Sequence, residues 1–259
     1  MTLISLLQLR IDDSEPVNER VPRALQWARS EAATADVVVL PELWHVGAFD
    51  IELARSNAEP LDGPLVTAIA EVARDAATWV HGGSFCEVTA DGQHFNTSIL
   101  FDPQGNLAAV YRKIHLFGFS GGETTLMSAG EQLVTVDTPL GRTGLATCYD
   151  LRFPELYRGL VDTGATSVLM ASGWPTPRIA HWSTLVRARA IENQMLIAAC
   201  NEVGTHAGTV LGGRSVIVDA RGEVLAEGGD GEEAVRADVD CDVTGQWRAQ
   251  FPVLNDRVL

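Results

Sequence analysis

The stretch Thr143-Gly144-Leu145-Ala146-Thr147-Cys148-Tyr149-Asp150-Leu151-Arg152-Phe153-Pro154-Glu155-Leu156-Tyr157-Arg158-Gly159-Leu160-Val161 decides how this chain is read. It opens as a short strand, Gly144 to Cys148, turns sharply, and continues as a helix from Pro154, whose fixed φ suits a first helical position. A cysteine on such a strand-to-helix turn is thrust out of the sheet. The helix N-terminus behind it offers unpaired N–H groups and partial positive charge, so a thiolate is expected at Cys148. Taken alone, the same cysteine also fits a small core residue, because free cysteines are commonly buried and inert.

Working outward, Val37-Val38-Val39-Leu40-Pro41-Glu42-Leu43-Trp44 is a continuous apolar run ending in a carboxylate. Such a run predicts a strand buried on both faces, as in sheets covered by helices. Glu42, just past its end, suits a general base for a thiol or a water; a capping role or a pair with a surface arginine is the alternative. Ala109-Val110-Tyr111-Arg112-Lys113-Ile114-His115-Leu116-Phe117 places Lys113 after another strand among apolar residues. A buried ammonium there can hold an oxyanion, although a strand-end lysine needs no such role.

The pattern repeats along the chain. Strands are predicted at Leu3–Leu9, Val37–Leu40, Trp79–Val88, Thr97–Phe101, Leu107–Tyr111, Val134–Asp137, Ser167–Ala171 and Met195–Cys200. A hairpin follows, from Ser215–Asp219 and Val224–Ala226 about the Arg221-Gly222 turn. Helices are predicted at Val17–Ala33, with Pro22 delaying its start, at Pro64–Ala77, from Pro154, and at Ile179–Gln194. No repeat or linker divides the chain, so residues 1–259 are read as a single α/β domain. Its 259 residues suffice for a sizeable core.

Pro-Glu-Leu-Trp, then Tyr-Arg-Lys-Ile-His-Leu-Phe, then Cys-Tyr-Asp-Leu-Arg-Phe-Pro-Glu, in that order, resemble the nitrilase superfamily of carbon–nitrogen hydrolases over nearly the whole chain. The resemblance implies a four-layer αββα sandwich, with two sheets face to face and helices outside. It implies a Glu-Lys-Cys triad at Glu42, Lys113 and Cys148, and a second glutamate at Glu123 in Gly122-Glu123-Thr124-Thr125. In the implied chemistry Cys148 attacks an amide carbon and Glu42 takes the thiol proton. Lys113 and the Tyr149 backbone N–H hold the oxyanion, and a thioester is then hydrolysed. No step needs a metal or an organic cofactor.

Leu40-Pro41-Glu42-Leu43-Trp44, Gly173-Trp174-Pro175-Thr176-Pro177-Arg178 and Ala188-Arg189-Ala190-Ile191-Glu192-Asn193-Gln194 resemble the ω-amidase branch, which hydrolyses the terminal amide of 2-oxo acids. An N-carbamoyl amino acid hydrolase or another aliphatic amidase of the superfamily is the alternative. A 2-oxo acid needs a cation for its carboxylate, and Arg152 and Arg178 are the candidates. For Arg152 a pair with Asp150 or Glu155 is the alternative. Trp174 is expected to line the pocket, with Phe117 or Phe119 at its rim, and His181 to tie its helix to the site. The resemblance also implies a homodimer or higher homo-oligomer.

A net charge of −15 argues against nucleic acid or anionic membrane as partners. No apolar run approaches transmembrane length and the N-terminus lacks a secretion signal, so a cytoplasmic location is expected. Cys86, Cys148, Cys200 and Cys241 lie far apart, without metal-ligand spacing, and no disulfide framework is predicted. Cys86 and Cys200 read as core residues. Cys241 lies among aspartates, poor surroundings for a nucleophile.

Overall fold

The computed structural model describes residues 1–118 and 121–258. In chain order its main elements are β1 (Thr2–Gln8), α1 (Val17–Ala32), β2 (Val37–Val39), α2 (Ile51–Ser56), α3 (Pro64–Ala76), β3 (Trp79–Val88), β4 (His94–Phe101), β5 (Leu107–Arg112), β6 (Thr135–Thr138) and β7 (Gly141–Thr147). There follow α4 (Pro154–Asp162), β8 (Ser167–Ala171), α5 (Ile179–Asn193), β9 (Leu196–Cys200), β10 (Val203–His206), β11 (Thr209–Gly212), β12 (Val216–Val218), β13 (Val224–Glu227), β14 (Glu233–Val239) and α6 (Asp242–Gln250). One six-stranded sheet has the order β14-β1-β2-β3-β4-β5 and the other β13-β12-β9-β8-β7-β6; β10 and β11 form a separate ribbon.

Alternation along the strands explains the layering. Ile4 and Leu6 of β1, and Val37 and Val39 of β2, join the core that also holds Leu145, Leu169 and Ile197 of the second sheet. Their neighbours Leu7 and Val38 face the other way, onto Ala24, Leu25 and Ala28 of α1 and Ile69 and Val72 of α3. The second sheet is covered in the same manner by Leu156, Tyr157 and Leu160 of α4 and by Trp182, Val186 and Ala190 of α5. Each sheet is thus buried on both faces, which is why its strands read as unbroken apolar runs. The result is the αββα sandwich. Among the described residues, no helix is long and apolar enough to cross a membrane.

Several boundaries differ from the sequence-based expectations. Pro22 does not delay α1, which begins at Val17. The buried Arg20 side chain holds its first turn, donating to the carbonyls of Asp12, Glu15 and His45. β4 starts at His94 because Phe95 and Asn96 already pair with Glu87 and Cys86. β7 stops at Thr147, so Cys148 belongs to the turn, a 3-10 segment over Cys148–Arg152 that separates it from α4. Helix α2, the β10–β11 ribbon, β14 and α6 carried no clear periodicity. β14 is defined by pairing with β1, where Val239 faces Thr2.

Register brings the loop ends to one edge. Thr147 pairs with Ala171, and Ala171 with Cys200, so the three parallel strands finish together. The residues that follow, Cys148, Ser172-Gly173 and Asn201-Glu202, therefore emerge side by side at the carboxyl ends of the strands. Asp150, fully buried, ties this edge to the other sheet. It accepts from Tyr111 Oη at 2.7 Å, from the backbone N–H of His115 at 3.0 Å and from that of Thr147 at 2.9 Å. Asp150→Asn leaves this acceptor site short of lone pairs and should cost about 2–4 kcal/mol of unfolding free energy in urea. A loss near zero would show that the two loops are held some other way.

Candidate active site

Glu42 leaves β2 through Leu40-Pro41 and is set by a close backbone approach. Gly83, at φ +69°, packs so near the Pro41 carbonyl that a Cβ there would lie 2.0 Å from its oxygen. The Leu43 backbone N–H donates to Ser84 Oγ at 3.0 Å and fixes the turn. Lys113 follows β5, its backbone N–H bonded to Asn96 O at 2.9 Å. Glu123 lies on a 3-10 turn, Gly122–Thr125.

These three side chains meet in the interior. Lys113 Nζ donates to Glu42 Oε1 and to Glu123 Oε2, each at 2.7 Å, and all three residues are almost wholly buried. Asn96 Nδ2 donates to Glu42 Oε1 at 2.8 Å and also to Glu123. The remaining lone pairs are used by backbone donors, Gly173 N–H on Glu42 at 2.9 Å and Phe117 N–H on Glu123 at 2.7 Å. Burial by itself would pull the Lys113 ammonium down; the charges of Glu123 and Glu42 outweigh it and hold Lys113 well above the usual lysine range. Burial pushes Glu123 up, opposed by Lys113 and reinforced by Glu42.

Cys148 sits half-buried beside this cluster with φ +44°, a left-handed conformation that is strained for a residue with a Cβ. A capping box holds the turn, with Thr147 and Asp150 exchanging side-chain and backbone hydrogen bonds. The expected thiolate does not form. Burial, followed by the negative charge of Glu42, pushes the Cys148 thiol well above its ordinary value, and Lys113 offsets only part of this. The helix does not counter this, because the 3-10 turn intervenes and α4 starts six residues later, beyond the reach of its terminal partial charge. The arrangement is a neutral thiol beside a carboxylate able to take its proton. Cys86 and Cys200 are buried, and burial raises both thiols, that of Cys86 to about 12. All four cysteines are free.

One cleft is lined by Glu42, Lys113, Glu123, Cys148, Tyr149, Arg152, Trp174 and Arg178, so the structure brings together the catalytic and substrate-binding candidates read from the sequence. Phe117 lines it too; Phe119 lies outside the described residues. The Arg152 guanidinium stacks 4.6 Å above Trp174 and contacts His181 Nδ1 at 3.4 Å. It pairs with neither Asp150, which the Tyr111, His115 and Thr147 donors occupy, nor Glu155. Arg178 lies 5.6 Å over the Phe117 ring. Trp174 is positioned by Asn201, which accepts from its backbone N–H at 2.6 Å, and it packs on Trp182. His181 is exposed and contacts the site only through Arg152. Asn96 and the Gly173 N–H escaped the sequence reading, because a lone asparagine inside a strand and a backbone donor leave no side-chain pattern. Among the described residues, no three His, Cys, Asp or Glu side chains converge as a metal site requires.

Comparison with known proteins gives the family. The carbon-nitrogen hydrolase family pattern matches residues 3–249. The chain belongs to the carbon-nitrogen hydrolase family. It is 44% identical to a 2-oxoglutaramate amidase of Paenarthrobacter nicotinovorans over 98% of this chain and 88% of that one. A 2-oxoglutaramate amidase of Bacillus subtilis (strain 168) is 35% identical over 98% of this chain and 96% of its own. Among solved structures, Saccharomyces cerevisiae Nit3, a member of branch 10 of the nitrilase superfamily, superposes with a TM-score of 0.88 at 29% identity, covering 100% of this chain and 97% of that one. As a member of this family, the protein is a hydrolase of carbon–nitrogen bonds in amides.

The neutral thiol has a measurable consequence. Alkylation of Cys148 by iodoacetamide, followed by peptide mass spectrometry, should keep accelerating past the ordinary thiol value of 9.0. A plateau at neutral pH would identify a preformed thiolate.

Proposed function

We propose that the chain is an ω-amidase that hydrolyses the terminal carboxamide of a small 2-oxo acid such as 2-oxoglutaramate, with Cys148 as nucleophile. The observation that carries the substrate class is the pair of guanidiniums, Arg152 and Arg178, that line the cleft without a carboxylate partner among the described residues. A substrate carboxylate would supply that partner. The naming of two relatives, at 44% and 35% identity, as 2-oxoglutaramate amidases supports the same reading.

In this mechanism Cys148 Sγ attacks the amide carbon while Glu42 accepts the thiol proton. The developing oxyanion is held by Lys113 Nζ and the Tyr149 backbone N–H. The C–N bond breaks, Glu42 returns the proton to the departing nitrogen, and ammonia leaves a thioester on Cys148. Water then adds to the thioester carbon, giving a proton to Glu42. The C–S bond breaks and the proton passes to sulfur, releasing the 2-oxo acid. Glu123 keeps Lys113 aimed, sharing it with Glu42. Tyr149 and Trp174 form walls, and Arg152 and Arg178 hold the distant carboxylate.

We further propose one working domain across residues 1–259, a cytoplasmic location that would keep the free thiols reduced, and assembly as a homodimer. Exposed Ile191 on α5 and Val224 on β13 line one surface depression and support an apolar seat for a second copy.

Ammonia release from 2-oxoglutaramate should exceed that from N-carbamoyl-β-alanine and from an aliphatic amide; preference for the carbamoyl compound would overturn the substrate class while keeping the thiol chemistry. Cys148→Ala should fold yet lose at least about 10⁴-fold in kcat. Arg152→Lys should raise KM for carboxylate-bearing amides about tenfold, with little change for simple aliphatic amides. Equal losses on both would make Arg152 structural. Light scattering should give the mass of two chains, and Ile191→Asp should halve it; an unchanged mass would put the interface elsewhere.

A further inference from the structure

Behind the catalytic cluster lies a carboxyl group that the mechanism does not use. Glu202 follows β9 and Asn201, and it is fully buried. Among the described residues, neither of its carboxyl oxygens has a hydrogen-bond partner. Its place is fixed from the backbone: the Gly213 N–H donates to its carbonyl at 2.8 Å. Its side chain reaches Gly173, the residue whose N–H holds Glu42. A Cβ added to Gly173 would meet the Glu202 carboxyl at 2.9 Å and the Glu42 carboxyl at 3.6 Å, so the two acids share the space where a side chain at that position would stand.

The charged and titratable groups acting on Glu202 are Glu42 from the loop after β2 and Arg20 from α1; Cys200 of β9 lies close enough to feel its charge. Arg20 offsets the burial only in part. Its guanidinium donates to the carbonyls of Asp12, Glu15 and His45 and lies 3.5 Å from the Glu15 carboxylate, and no hydrogen bond from it to Glu202 is formed. His45 lies beyond, its ring buried and its pKa pushed down to about 3 by burial and Arg20, so it brings no positive charge at neutral pH. His206, likewise lowered by burial, contacts Asp13 at 3.9 Å rather than Glu202. Lys113 already serves two carboxylates. A buried carboxyl without a donor or an ion pair keeps its proton, and two carboxylates this close do not readily ionise together.

We propose that Glu202 is an uncharged carboxylic acid packed against Gly173, which spares the Glu42 carboxylate a further negative charge beside it and whose ionisation ends activity at alkaline pH. This rests on Glu42 being the base. While Glu202 is protonated, Glu42 feels only Lys113, Glu123 and its hydrogen-bond donors. Once Glu202 ionises, a second negative charge faces the Glu42 carboxylate at Gly173 and strains that contact.

The test is the pH profile of kcat/KM for ammonia release in the wild type, Glu202→Gln and Glu202→Met. Neither variant can ionise at this position. Methionine is also apolar, so replacing two unpartnered oxygens with it should leave the thermal midpoint no lower than in the wild type, even if glutamine folds poorly. Both variants should act within about threefold of the wild type at neutral pH. Their alkaline midpoint should move up by about one pH unit or more. Infrared difference spectra should show the carbonyl stretch of one protonated carboxylic acid in the wild type and its loss in either variant. An unchanged alkaline midpoint, a collapse of neutral-pH activity in folded variants, or a missing infrared band would each overturn the proposal. A wild-type chain that hydrolyses none of the amides would defeat the reading of Glu42, while the infrared band and the thermal midpoint of Glu202→Met would still decide the state of Glu202.

Discussion

An ammonium buried between two carboxylates constrains most of what surrounds it. Removing Lys113, Glu42 and Glu123 from water carries a penalty of several kcal/mol for each ion, and their attraction offsets it only if the remaining lone pairs are also satisfied. Asn96 and the backbone N–H groups of Gly173 and Phe117 meet that demand. They come from three places in the chain, one of them the loop that follows β8 of the second sheet. The cluster therefore cannot be assembled by one loop; it requires both sheets in contact at the correct register.

Asp150 performs the mechanical part of that task. By binding Tyr111 and His115 on either side of Lys113, and Thr147 just before Cys148, it locks the two loops to one another. Buried Ser98 and Thr147 join the sheets directly at 2.9 Å beneath the cysteine. Cys148, the proposed nucleophile, can then sit in a strained left-handed conformation without relaxing. In the proposed mechanism its reactivity follows from position and a neighbouring base more than from a lowered thiol pKa. Burial beside a carboxylate disfavours a resting thiolate, so in that mechanism proton transfer and attack are coupled through Glu42.

The electrostatics of the cleft run against those of the whole molecule. The chain carries a net charge of −15, yet Lys113, Arg152 and Arg178 outnumber Glu42 and Glu123 among the charged side chains lining the cleft. The local field, set by desolvated groups a few ångströms away, decides what binds there. Stacking of Arg152 on Trp174 holds one guanidinium ready without using up its hydrogen-bond donors.

Much of this was legible in the residues. The apolar run Val37–Val39 announced a strand covered on both faces, Pro154 announced the start of α4, and the spaced motifs around Glu42, Lys113 and Cys148 pointed to a carbon–nitrogen hydrolase. Those features are local: periodicity, a fixed φ and residue identity are written along the chain. The weaker elements were not legible, because β14 exists only through its pairing with β1, and the β10–β11 ribbon lacks an apolar face of its own. The state of Cys148 was misjudged for a similar reason. Strand-turn-helix spacing suggested a helix terminus at the sulfur, whereas the 3-10 turn moved that terminus away and burial beside Glu42 raised the thiol. The sequence by itself determined which residue types are available for chemistry and which segments form the layers. Only the tertiary structure decided their ionisation and their partners, because charge in a protein interior depends on desolvation and on donors supplied from distant parts of the chain.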